Sequence, residues 1–126
     1  MAVTHAAATQ NNIADTVLAD IDAGTAGALK LYTAADAEVA DLTLADPAGT
    51  VSGAVLTFDC SPALEDSAPT GSASPVTNAK IMTSAAANVL LCSVGTSGAD
   101  INFAGGVTFS SGDTVQITSL TYTAPD

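Results

Sequence analysis

From residue 28 onward, apolar residues recur at every second position in short runs, broken about every ten residues by Gly, Pro, Ser and Asp. The runs are ALKLYT (28–33), VADLTL (39–44), GAVLTF (53–58), AKIMT (79–83), NVLLCSV (88–94), DINFA (100–104), GVTFS (106–110) and TVQITSLTYT (114–123). A period of two sends alternate side chains to opposite faces of a strand, so the pattern predicts about eight antiparallel strands with one face inward. The fold class is therefore mainly β: an antiparallel β-sandwich, jelly-roll or Ig-like, with one N-terminal α-helix. In the last run, Val115 and Ile117 share a phase that Ser119 and Leu120 shift to Leu120 and Tyr122. A bulge, or a strand crossing between sheets, produces such a shift.

The helix is predicted over residues 5–23, where Ile13, Val17 and Ile21 recur at i, i+4 and i+8 with Ala14 and Leu18 beside them. Asp15, Asp20 and Asp22 fall mostly away from that stripe. Thr4 is the expected N-cap, because its hydroxyl can accept from an unpaired N–H, and Gly24 the left-handed residue after the last turn. Segment 60–78, CSPALEDSAPTGSASPVTN, has no period and is rich in Pro, Ser and Gly. It reads as a long excursion, flexible or ordered by a partner. The expected layout is one domain over 1–126: arm and helix in 1–24, sandwich in 28–58 and 79–123, and a long loop in 59–78.

Composition narrows the partners. Thirteen carboxylates face only Lys30 and Lys80, with no Arg, for a formal charge of −11. Such a field repels phosphate backbones, so nucleic acid and anionic membrane are not expected partners. A basic protein surface, cations or a neutral glycan remain compatible. No basic and apolar leader opens the chain and no run reaches a bilayer's span, so the reading is of a soluble chain made in a cytoplasm.

Candidate chemistry is thin. His5 is the single histidine and lies at the start of the helix; no Ser or Cys stands in a nucleophile-elbow context to use it. Asp36 with Glu38, or Glu65 with Asp66, offers the carboxylate pair of a glycosidase, yet the chain has no Trp for a sugar platform. Asp36, Glu38 and Asp41 place oxygens at near-alternating positions, as calcium loops do, but without the order of an EF-hand. Cys60 and Cys92 fit neither a CxxC pair nor a zinc knuckle; two buried thiols or one disulfide are both compatible with their spacing. No catalytic, cofactor-binding or metal residues are therefore assigned, and no cofactor. Uncharged strands of Thr, Ser and Ala at a sheet edge instead favour pairing with another subunit.

Three stretches, MAVTHAAATQNNIADTVLADIDAG, AEVADLTLADPAG and SVGTSGADINFAGGVTFSSGDTVQITSLTYTAP, resemble a group of small virion proteins of tailed bacteriophages. Some β-rich members of this size are head decoration, or cement, proteins. The resemblance implies a non-enzymatic sandwich subunit on the outer capsid surface of the virion, stabilising the shell. Its implied partners are the major capsid protein and copies of itself, with residues 1–12 or the last strand as the shell contact. A tail, neck or fibre module binding a host surface through the 60–78 segment is the alternative. A small hydrolase is the third, marked by activity that one carboxylate substitution abolishes.

Overall fold

The alternation becomes burial in the computed structural model, which describes residues 3–60, 63–67, 69–103 and 105–124. In β1 (Ala28–Thr33), Leu29, Leu31 and Thr33 are buried, while Ala28, Lys30 and Tyr32 lie on the other face. The remaining strands are β2 (Glu38–Thr43), β3 (Gly49–Ser52), β4 (Val55–Phe58), β5 (Leu64–Asp66), β6 (Val76–Met82), β7 (Asn88–Gly95), β8 (Ile101–Asn102), β9 (Val115–Ile117) and β10 (Thr121–Thr123). They form a five-stranded sheet in the order β2-β1-β6-β7-β8, a three-stranded sheet β10-β4-β3 and a two-stranded sheet β5-β9. Leu29, Leu42 and Ile81 from the first sheet, Leu56 and Phe58 from the second, and Leu64, Val115 and Ile117 from the third share one core. The chain is thus mainly β and sandwich-like, with a single helix among the described residues, near the N-terminus, as the periodicity predicts. Among the described residues every pairing is antiparallel except the short parallel contact of β7 with β8.

The strand list differs from expectation in three places. β3 and β4 form a hairpin where a single strand, 53–58, was predicted. Its two turn residues, Gly53 and Ala54, both have positive φ (59° and 67°), as a tight primed turn requires. Alanine is an unusual occupant of that position, which hides the turn from the sequence. The run 114–123 divides into β9 and β10 in different sheets, so the phase shift at Ser119-Leu120 is a crossing between sheets. Segment 106–110 is not a ladder strand, although the carbonyls of Val107 and Phe109 accept from the N–H groups of Val76 and Ser72.

The segment 59–78 is also not the structureless loop expected. It carries β5 and the first residues of β6, and Gly71 N–H donates to the Val39 carbonyl at 3.0 Å on the edge of β2. Gly71 has φ +76°, and a Cβ there would stand 2.6 Å from the backbone N of Ser111. Only glycine lets the chain pass between β2 and the 109–111 turn. Asp66 adds a second closure, its carboxylate accepting from Asp41 N–H at 2.9 Å. At the opposite flank of the sheet, Asp100 accepts from Ser93 N–H at 2.9 Å. The edges expected to be open are therefore partly closed by aspartates that stand where a neighbouring strand would.

Helix α1 (Ala7–Ile21) packs its apolar stripe as expected, burying Ala14 and Ile21 against β3, β4 and β7. Its N-cap is Ala6, with no side-chain cap, rather than Thr4. Two polar side chains fix it instead: Asn11 Oδ1 accepts from Ala54 N–H and Asp22 Oδ1 from Ala48 N–H at 3.0 Å. Asp22 thus works inward, not on the solvent face. Gly24, two residues past the C-cap Asp22, has φ +87° as the left-handed exit requires. Among the described residues no helix is long and apolar enough to cross a membrane.

Candidate functional site

Two hairpins carry the same turn and set up the charged face of the main sheet. In Thr33–Ala37 and Thr83–Ala87, the threonine N–H donates to the fifth residue's carbonyl, and the threonine hydroxyl accepts from its N–H. The fourth residue, Asp36 or Ala86, is left-handed at φ 63° or 65°. Asp tolerates this conformation better than most residues. The turn delivers the Asp36 carboxylate to Lys80 Nζ at 3.0 Å.

Lys30 and Lys80 are direct cross-strand partners on β1 and β6, so the chain's only two Lys or Arg side chains face each other on the outer side of the sheet. Each is neutralised from a different direction. Lys30 Nζ lies 3.3 Å from Glu38 and 3.9 Å from Asp41, while Lys80 sits 4.4 Å over the Tyr32 ring as well as against Asp36. The hydrogen bond to Glu38, then its charge, raises the Lys30 pKa above 10.5. Asp41 behaves differently. Partial burial pushes its carboxyl up, Glu38 and Asp66 add to this, and Lys30 only offsets it. At 3.9 Å Lys30 is a weak partner for Asp41, so Glu38 is the effective counter-ion.

The carboxylates proposed for chemistry are thereby placed. Asp36 and Glu38 face lysines and do not form a pair of their own; Glu65 accepts from Gln116 Nε2 at 2.7 Å, and Asp66 holds the β2 edge. Asp36, Glu38 and Asp41 do not converge on a common point for calcium; among the described residues no group of three or more His, Cys, Asp or Glu is arranged to hold a metal ion. His5 lies exposed ahead of α1.

A groove of about 510 Å³ opens between β7 and β10, floored by Phe58, Ile81, Leu90 and Leu120 and flanked by Cys92 and Asp100. Burial, and then the Asp100 charge, push the Cys92 thiol up to about 11. Cys60 is raised by burial and by Asp59, and both cysteines are free thiols. Neither thiol is tuned toward the thiolate that nucleophilic chemistry needs.

No protein-family model, curated protein or solved structure matches this chain. Its site must be read from its own geometry. That geometry is of ion pairs committed to the sheet, edges capped by aspartate, and a groove with an apolar floor and mixed walls. The Lys30–Lys80 opposition was missed by the sequence reading, because it depends on which strands become neighbours. The signal for it was the equal phase of the two lysines within their alternating runs.

Proposed function

We propose that this chain is a structural virion protein of a tailed phage, not an enzyme, that binds the outside of the capsid shell as a decoration protein and stabilises it. The observation that carries the reading is the commitment of both lysines. Asp36, Glu38 and Asp41 take them up within the sheet, and no further Lys or Arg remains to set against the other aspartates and glutamates. A partner meeting this surface gains most if it supplies the cations, as a basic patch on a capsid exterior does. The resemblance of the N-terminal, middle and C-terminal stretches to small phage virion proteins supports the same reading.

Modest contacts suffice for the role. A subunit that touches several capsid proteins at once stabilises the assembled shell by mass action and by multivalency, with no reactive group needed. We assign the shell contact to the last strand, β10, the outer strand of its sheet. Residues 7–12 belong to α1, so only 3–6 of the described residues remain of the expected extended arm. The alternative tail module has less support, since the 60–78 segment it relied on is stitched to β2 and to residues 107–109.

The test is to add purified protein to capsids that lack it and count bound copies by cryo-EM. Regular density over the lattice, in copies comparable to the capsid subunits, is expected. Bare shells, with protein at the tail or nowhere, would overturn the reading.

A further inference from the structure

Two large apolar side chains stand exposed among the described residues, Val3 at 94% and Leu91 at 72%. They have complementary settings. Val3 belongs to residues 3–6, which precede α1 outside any helix or strand, and Ala6 already has extended angles of φ −64° and ψ 154°. This is exposed chain that belongs to no sheet. Leu91 lies on β7, which pairs with β6 along its length but with β8 only at Val94 and Gly95. This is a sheet edge without a strand.

Pleating fixes where the free groups point. Ser93 N–H is turned away from β6, toward Asp100, and the Gly95 carbonyl is turned the same way, toward Phe103 N–H. Leu91 is in phase with both, so its N–H and C=O also face outward, beside the groove between β7 and β10. Leu91 is the register partner of Lys80, which places its side chain on the outer face with the lysines. Asp100 ends the open run at Ser93.

Charge selects the occupant. Two copies that each carry −11 repel, so a contact between them is favoured where carboxylates are few; the β7 edge brings Asp100, which is engaged by Ser93 N–H. The two longest stretches without Asp or Glu are residues 67–99, which include β6 and β7, and residues 1–14, which include the N-terminal segment.

We propose that a second copy of this chain supplies the missing strand: residues 3–6 of one copy add to the open edge of β7 in the next and set Val3 beside Leu91. Backbone hydrogen bonds hold the added strand, and the apolar pair sets its register. Arm and edge are different surfaces of one chain, so the contact is head-to-tail, and it closes a ring or continues according to the rotation between copies. It gives a contact to the self-association within the decoration reading, but it needs no capsid and stands or falls on the purified protein.

Sedimentation velocity across a concentration series tests it, with Val3→Asp and Leu91→Asp as variants; both sites are exposed, and far-UV circular dichroism checks that the fold is kept. The wild type is expected to self-associate, and each variant to do so at least about tenfold more weakly, the range of a buried apolar contact replaced by a charge. Mixing the variants is decisive. Val3→Asp retains the edge and Leu91→Asp retains the arm, so the mixture forms 1:1 pairs that neither forms alone. A wild type that stays monomeric up to about 1 mM, variants that associate like the wild type, or a mixture without pairs would each overturn the proposal.

Discussion

Lys30 and Lys80 stand directly opposite each other on adjacent strands, and three carboxylates and a tyrosine ring hold them there. Like charges opposed across a sheet cost up to about 1 kcal/mol. The surrounding acids convert that cost into a local network. Glu38→Gln should therefore lower stability by about 0.5–1 kcal/mol at low salt, and the loss should disappear in a Lys30→Met background. A double-mutant cycle by urea denaturation measures this, and a loss unchanged by Lys30→Met would show that Glu38 acts by another route.

Asp41 titrates above its usual range because partial burial disfavours its charge. A carboxyl raised on folding binds more protons in the native state, so its contribution to stability falls as pH rises through the native pKa and recovers below it. Asp41→Asn should then be at least as stable as wild type at pH 7, by up to about 0.5 kcal/mol at this half-exposed site. The two proteins should converge below the ordinary carboxyl pKa of 3.8. Thermal melts at pH 3 and 7 compare them.

Cys92 has a thiol pKa of about 11 against an ordinary 9.0. At pH 8 the thiolate is then roughly 100-fold scarcer than in the unfolded chain. Alkylation by iodoacetamide, followed by peptide mass spectrometry, should show Cys92 modified about 100-fold more slowly in native than in denatured protein. Equal rates would place the thiol in water.

Gly49 lies in β3 where an added Cβ would run into the carbonyl of Thr57 and stand 2.9 Å from the Phe58 Cα, both backbone atoms that cannot swing aside. Gly49→Ala should cost about 2–3 kcal/mol, the range of overpacking in a well-packed core. Ala86 is the opposite case, exposed and left-handed at φ 65°. Ala86→Gly should add about 0.5–1 kcal/mol by relieving the Cβ. Denaturant midpoints report both.

Asp22 holds the buried Ala48 N–H across from the end of α1. Asp22→Ala leaves that donor without its acceptor and loosens the helix, at a cost of about 1–2 kcal/mol. The denaturation midpoint should fall accordingly, and hydrogen exchange at Ala48 is the local readout, since protection there should fall with it.

Local alternation and helical spacing by themselves determined that this chain is mainly β with one helix, which faces turn inward, and that its surface is acidic. These are properties of period and composition, legible because each strand's burial follows from its own residues, as in β1. The helix stripe was legible for the same reason. Strand neighbours were not, because pairing joins residues far apart in the chain through backbone groups that every residue shares. Only the tertiary structure set Lys30 against Lys80, divided 114–123 between two sheets and drew 59–78 onto the edge of β2. It also turned Asp22, Asp66 and Asp100 from apparent surface charges into acceptors for particular N–H groups. A carboxylate's role depends on which donor the fold brings within 3 Å of it, and sequence spacing carries no record of that distance.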